Sequence, residues 1–372
     1  MPNEAQVQAL TTQVLWAAFV LALAFGGIAQ RTHFCTMGAL SDIVTMGDWS
    51  RMRMWALAAG VAVLGFNAMV ALGWVQAADS LYAGRRFIVL SNLLGGLMFG
   101  FGMVLASGCG SKTLVRAGGG NLKSLVVFIV LGIAAFATLK GLTAVWRVET
   151  VDRVAATLPA GQDLPSLIAH ASGVARGTLA ALLGLLFGGG LLLWALARPE
   201  GRRADVLLGG LGIGAVVAAV WWVSGRLGHV AEHPLTLQES FLATNSHRME
   251  SLSFVSPFAY TIDWLIFFSD ASKALTIGIV STLGVLLGSA AVALATRSFR
   301  WEAFGSVEDT ANHLVGAVLM GVGGVTALGC TIGQGLSGLS TLSLGSFVAL
   351  AGILGGGVLA LRWQILRIER AP

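Results

Sequence analysis

The chain has 372 residues, 56% of them hydrophobic and only 11% charged, with a mean hydropathy of +0.80. These values lie far from those of a soluble domain and describe a polytopic membrane protein. The net charge of +5 does not point to a nucleic-acid partner, because Lys and Arg sit in short loops beside apolar runs, where membrane topology accounts for them.

The first apolar run, near 10–29, follows a start without Lys or Arg, Met1 to Gln13, and is too long for a cleaved signal. It is expected to be a retained span. Eight more runs follow near 54–77, 92–108, 121–143, 177–198, 207–225, 272–296, 311–328 and 342–363, each long enough to cross roughly 30 Å of hydrocarbon. Two mixed segments, Thr32 to Met46 and Ser251 to Phe268, are too short or too polar to cross. They are expected to enter as re-entrant half-helices, which are tolerated only inside protein or beside a water-filled cavity. The expected fold class is all-α integral membrane, with nine transmembrane helices plus re-entrant half-helices.

An internal duplication organises these elements. At an offset of 221, Gly95, Gly100, Gly102, Val104, Ala106, Gly108 and Cys109 meet Gly316, Gly321, Gly323, Val325, Ala327, Gly329 and Cys330. Each half then reads as span, re-entrant segment, span, span ending in Gly-Cys, span. The first repeat covers 1–143 and the second 207–372. Between them, 144–206 holds a connecting loop and one extra transmembrane helix. That odd helix makes the second half enter from the opposite face, an inverted repeat. The loops carrying Arg51 and Arg53, Lys112 to Lys123, Arg198 to Arg203, Arg297 and Arg300, and Arg362 to Arg370 then fall on one side, which the positive-inside rule assigns to the cytoplasm. The N-terminus is expected outside and the C-terminus inside.

The stretch from about 144 to 175, with Pro159 and Pro165, reads as an external loop with a short surface helix. His229, His233 and His247 read as a solvated loop, not a metal site. Three cysteines without a Cys-x-x-Cys pair argue against a disulfide framework or zinc. No cofactor is indicated.

Cys109 and Cys330 are the residues expected to carry chemistry. Each closes a glycine run where the chain must turn, flanked by Gly108 and Gly110 in one copy and by Gly329 and Thr331 in the other. A buried thiol often serves only as a small hydrophobe, but the pairing at duplicated turns favours function. As a weak S–H donor it carries no charge that burial would penalise. Ser111, Thr113, Gln334 and Ser337 would add neutral donors. Cys35 sits in the first re-entrant segment, Arg31-Thr32-His33-Phe34-Cys35. In the second segment Phe254 matches Phe34 but Val255 stands where Cys35 would. Lys112 and Arg116 read either as anion attractants or as topology signals.

At these residues the chain resembles the YeeE/YedE family of bacterial inner-membrane proteins, whose characterised members take up thiosulfate. The resemblance runs over essentially all nine spans and is most specific at the doubled G-x-G-x-x-x-A-x-G-C pattern, Gly100 to Cys109 and, with Gly324, Gly321 to Cys330. It implies an hourglass-like fold in which Cys109, Cys330 and Cys35 pass thiosulfate along by S–H to sulfur hydrogen bonds. It also implies a cysteine in the second re-entrant segment, where this chain has Val255.

The expected function is therefore uptake of thiosulfate or a related small sulfur-containing anion through a central thiol-lined constriction. Moving a dianion inward opposes the membrane potential by about 2.3 kcal/mol per charge per 100 mV. No relay of buried carboxylates is evident, since Asp42, Asp263, His33 and His313 lie at span or re-entrant edges. Consumption of the sulfur, or a cytoplasmic sulfur-acceptor protein, would then supply the pull. A membrane thiol/disulfide oxidoreductase is the alternative, although no cysteine pair beside a basic residue is visible in the sequence. A neutral-solute channel or an assisting subunit is a third class.

Overall fold

The computed structural model describes residues 3–270 and 272–369. Arg370, counted above on the basic side, and the extreme ends of the two predicted repeats at Met1 and Pro372 lie outside the described residues. Helix α1 spans Glu4–Thr32, α2 Thr36–Met46, α3 Ser50–Ala71, α4 Val89–Leu105, α5 Gly110–Gly118 and α6 Leu122–Lys140. The connecting region holds α7 (Leu142–Glu149), α8 (Leu164–Ser172) and α9 (Arg176–Leu196). Then come α10 (Ala204–Trp222), α11 (Ser256–Ile266), α12 (Ile277–Ala295), α13 (Val307–Thr326) and α14 (Leu344–Glu369).

Among the described residues, eight helical stretches are long and apolar enough to cross a membrane. The predicted span at 311–328 is also a long helix, α13, but Glu308, Asp309 and His313 in its first turns keep it out of that set. Side-chain caps fix several starts. Asn3 and Gln6 form a capping box on α1, Asn121 accepts from Ser124 N at the start of α6, and Ser306 accepts from Asp309 N at the start of α13. The two predicted re-entrant segments are the eleven-residue helices α2 and α11, too short to cross hydrocarbon.

The helices pack in matched pairs. Helix α1 lies along α12 as α10 lies along α3, and α14 lies along α4 as α13 lies along α6. Helices α4 and α13 cross each other antiparallel, face to face through glycines. A Cβ on Gly95 would sit 2.7 Å from the Gly323 carbonyl oxygen, and one on Gly316 would sit 2.6 Å from that of Gly102. Small residues let backbones approach this closely, which is how helices pack without a hydrophobic drive between them. Helix α9 rests on α3, with Gly60 and Gly188 in mutual contact.

The connecting loop is not idle. Leu164 N donates to Leu342 O at 3.1 Å, Leu344 N to Gln162 O at 2.9 Å, and Gly345 N to Gln162 Oε1 at 3.1 Å. It straps down the start of α14.

Candidate functional site

The two Gly-Cys turns fold identically. Helix α4 ends at Ala106 (φ −82°, ψ 6°) and α13 at Ala327 (φ −81°, ψ 3°), and each is followed by a left-handed residue, Ser107 at φ 55° and Leu328 at φ 59°. Gly108 N donates to Met103 O and Gly329 N to Gly324 O, both at 2.8 Å, while Ser107 N reaches Val104 O and Leu328 N reaches Val325 O at 3.1 Å. Both are Schellman closures, which satisfy the last carbonyls of a helix ending inside protein. The chain emerges pointing the next residue, the cysteine, into the core. A left-handed residue, His33 at φ 54°, likewise ends α1 two positions before Cys35.

Each cysteine then opens the next helical segment. Cys35 is the N-cap of α2 and Cys109 the N-cap of α5. Cys330 O accepts from Gln334 N at 2.7 Å and so begins the segment that contains the π-helical turns Gly333–Gly338. The sulfur of Cys35 accepts from Gly38 N at 3.3 Å and that of Cys330 from Gly333 N at 3.4 Å. Both fall in a Cys-Thr-x-Gly motif, at 35–38 and 330–333. This repeated tetrapeptide was legible in the sequence and was missed there. Val255 occupies the fourth such position, the N-cap of α11, fully buried and packed against Gly324.

All three thiols are free and buried. The Cys109 thiol faces that of Cys35 and the hydroxyl of Thr331, while its sulfur lies 3.3 Å from Ser111 Oγ. The thiol that Cys109 meets directly is thus Cys35, while Cys330 lies near Cys109 without touching its sulfur. Lys112, on the first turn of α5, lies beside both Cys35 and Cys109. The pairing of cysteines near a base that the sequence did not reveal is present in space.

Of the other residues nominated above, several are engaged structurally. Thr113 Oγ1 donates to Cys109 O at 3.0 Å, Ser337 Oγ to Leu252 O at 2.7 Å, and Gln334 Nε2 to Ala327 O. Arg116 Nη1 holds Ser107 O at 2.8 Å. Gly110 lies against the Phe254 carbonyl, leaving no room for a Cβ. Among the described residues, three buried polar atoms at these helix starts have no hydrogen-bond partner, namely Thr36 Oγ1, Thr331 Oγ1 and Gln334 Oε1. Buried groups of this kind are costly unless something else satisfies them.

Two ion pairs anchor the far ends of the short helices, Asp42 with Arg51 at 3.2 Å and Asp263 with Lys273 at 2.6 Å. They explain the two carboxylates near the ends of these short helices. On the surface near Tyr82, Arg85, Arg86, Arg176 and Arg248 surround a pocket of about 420 Å³.

Long apolar helices enclosing broken ones, with free thiols and unpartnered hydroxyls where the breaks meet, define a multi-pass membrane protein of the transporter class. The chain belongs to the sulphur transport family, whose model matches residues 31–359. It is 28% identical to the thiosulfate transporter TsuA of Escherichia coli over 84% of this chain and 83% of that protein. It is 24% identical to the thiosulfate transporter TsuA of Spirochaeta thermophila over 95% of this chain and all of that one. A shorter match, 30% identical over 28% of the chain, is to the probable transporter YedE of Salmonella typhimurium.

Proposed function

We propose that the chain imports thiosulfate or a closely related small sulfur oxyanion across the bacterial inner membrane, through a narrow centre lined by Cys35, Cys109 and Cys330. The observation that carries this reading is the placement of all three thiols at the starts of helical segments, beside hydroxyls without protein partners. A helix N-terminus offers free N–H groups and about half a positive charge, which suits sulfonate oxygens. A polarisable thiol suits the terminal sulfur. The two thiosulfate transporters among the relatives support the substrate.

In this reading the two halves form an inverted repeat with α9 unpaired, N-terminus outside and C-terminus inside. Helix α13 crosses as the ninth span. Its charged first turns are neutralised at the surface, Asp309 by Lys123 at 2.8 Å and Glu308 by Arg367 at 3.0 Å. The reciprocal glycine contacts of α4 and α13 support the repeat. Gly108, Gly110 and Gly329 keep the backbone close to the ion, Thr331 and Ser111 donate to it, and Gln334 braces the end of α13. A cytoplasmic sulfur-acceptor protein would draw the ion inward.

The test is growth on thiosulfate of a strain lacking its other sulfate and thiosulfate importers, with Cys109→Ala and Cys330→Ala alongside the unaltered chain. Growth restored by the unaltered chain and lost in both variants is the expected result. Undiminished growth of both variants removes the thiols from the mechanism.

One observation favours a second reading, a membrane thiol oxidoreductase. Cys35 and Cys109 face each other with Lys112 adjacent, a thiol pair beside a base of the kind that disulfide exchange uses once the thiols become accessible. Alkylation of cells during uptake separates the two. Thiols that stay reduced throughout fit import, and a Cys35–Cys109 disulfide that appears with turnover fits exchange.

A further inference from the structure

A narrow cavity of about 40 Å³ lies on the arginine-pocket side of Cys330, walled by Tyr82, Glu250, Ser253, Tyr260, Ser281 and Leu328. That volume holds about three or four waters at roughly 10–15 Å³ each. Its floor is the second Gly-Cys turn. Leu328 stands two residues before Cys330, and a Cβ on Gly333 would sit 2.6 Å from Ser253 Oγ and 3.2 Å from the Tyr82 hydroxyl. Ser281, on α12 and 1% exposed, has a hydroxyl without a protein partner. The cavity and the site share a wall.

Glu250 is the ionisable group that this arrangement does not otherwise explain. Its backbone N donates to Ser224 Oγ at 3.0 Å, and Oε1 accepts from Asn245 N at 3.0 Å. No cation faces it. From the loop before α4 comes Tyr82. From α11 come Tyr260 and Asp263, the latter already neutralised by Lys273. Arg248, two residues away, turns outward to the carbonyls of Ala78 and Ser80. Inward lies Cys330, which like Glu250 is near Tyr82. Burial, opposed only by the Asn245 N–H, pushes the Glu250 carboxyl up to about 7.

We propose that Glu250 is a proton-operated gate on the outer approach to Cys330: neutral when a sulfur oxyanion passes, and closing the route by charge repulsion when ionised. The proposal rests on the anion-import reading. A carboxylate and a dianion in one narrow, poorly solvated cavity repel strongly, whereas the protonated acid and the Ser281 hydroxyl both offer a donor to sulfonate oxygens. One proton is taken from external water before entry, and it can return there once the ion has moved on.

The test uses the full chain in proteoliposomes and labelled thiosulfate, with the external pH stepped from 6 to 8.5. If only the protonated gate admits the ion, the unaltered chain shows a KM about thirtyfold higher at pH 8.5 than at pH 6, as linkage to one such group requires. Glu250→Gln, which cannot ionise, shows a ratio near one. A Glu250→Gln variant with the unaltered ratio, or an unaltered chain with no pH dependence, overturns the proposal. Infrared difference spectra without substrate supply an independent measure. A protonated-carboxyl band lost between pH 6 and 8.5 in the unaltered chain and absent from Glu250→Gln supports the gate, and its absence from both overturns it. No uptake by the unaltered chain at any pH counts against thiosulfate as the substrate, while the infrared titration still judges Glu250.

Discussion

Gly95 and Gly323 face each other where α4 and α13 cross, so closely that a methyl group on Gly95 would lie 2.7 Å from the Gly323 carbonyl oxygen. The same contact recurs between Gly316 and Gly102, their partners at the 221-residue offset. A contact that maps onto itself in this way is what a local two-fold axis produces.

Gly95→Ala and Gly323→Ala should therefore each loosen the crossing that aims both Gly-Cys turns. Overpacking of this kind costs about 1–3 kcal/mol. Thermal unfolding of the purified chain in detergent should show a lower midpoint for both. Gly190, on α9 with nothing within 4 Å of its absent Cβ, is the control, and Gly190→Ala should melt with the unaltered chain.

The left-handed turn makes a separate demand on Ser107, whose φ is 55°. A β-branched side chain is disfavoured there, and the left-handed region already costs an L-residue roughly 1–2 kcal/mol. Ser107→Val should lower the melting midpoint and reduce uptake by displacing Cys109. Ser107→Gly, which removes the conformational penalty, should retain both. Equal behaviour of the two variants would show that the turn does not position the thiol.

Val255 fills the fourth helix start with methyl groups against Gly324. Val255→Cys is smaller and should be accommodated for less than about 1.5 kcal/mol, with uptake retained. Val255→Phe cannot fit against Gly324 and Phe99 and should abolish uptake. Growth on thiosulfate distinguishes the two, and growth of the Phe variant would mean that this corner is looser than its burial indicates.

Glu250 also affects stability. Its carboxyl titrates near 7 when folded and near 4.5 when unfolded, so the folded chain holds the extra proton between those values. The cost of burying the group is absent below about pH 4.5, grows toward pH 7 and is complete above it. At about 1.4 kcal/mol per unit the ceiling is roughly 3.5 kcal/mol, reduced by screening from cavity water. Glu250→Gln should melt higher than the unaltered chain at pH 8 and together with it at pH 4. Melting curves at the two pH values decide this.

Eight long apolar helices, the two short helices α2 and α11 and the doubled Gly-Cys turns were legible in the sequence because each is written in local signals: apolar length, interruption, and glycines at a fixed offset. The Cys-Thr-x-Gly tetrapeptide was equally local but was obscured, because Cys35 and Cys330 fall at different steps of the two repeats. The approach of Cys35 to Cys109 was not legible, since it depends on how the end of α1 and the end of α4 converge in space. Gln334 and Ser337 looked like free donors because polarity can be read from a sequence, whereas hydrogen-bond partners across the fold cannot. Glu250 was passed over for the same reason, lying in a polar connector that only folding closes into a cavity.

Helix α9 touches the body chiefly along α3 and belongs to neither set of matched pairs. Its value is parity. An even number of crossings between the two copies would leave α4 and α13 running the same way, and Gly95 could not then meet Gly323 while Gly316 meets Gly102. In the proposed inverted repeat, the lone helix is what turns the second copy over within a single chain.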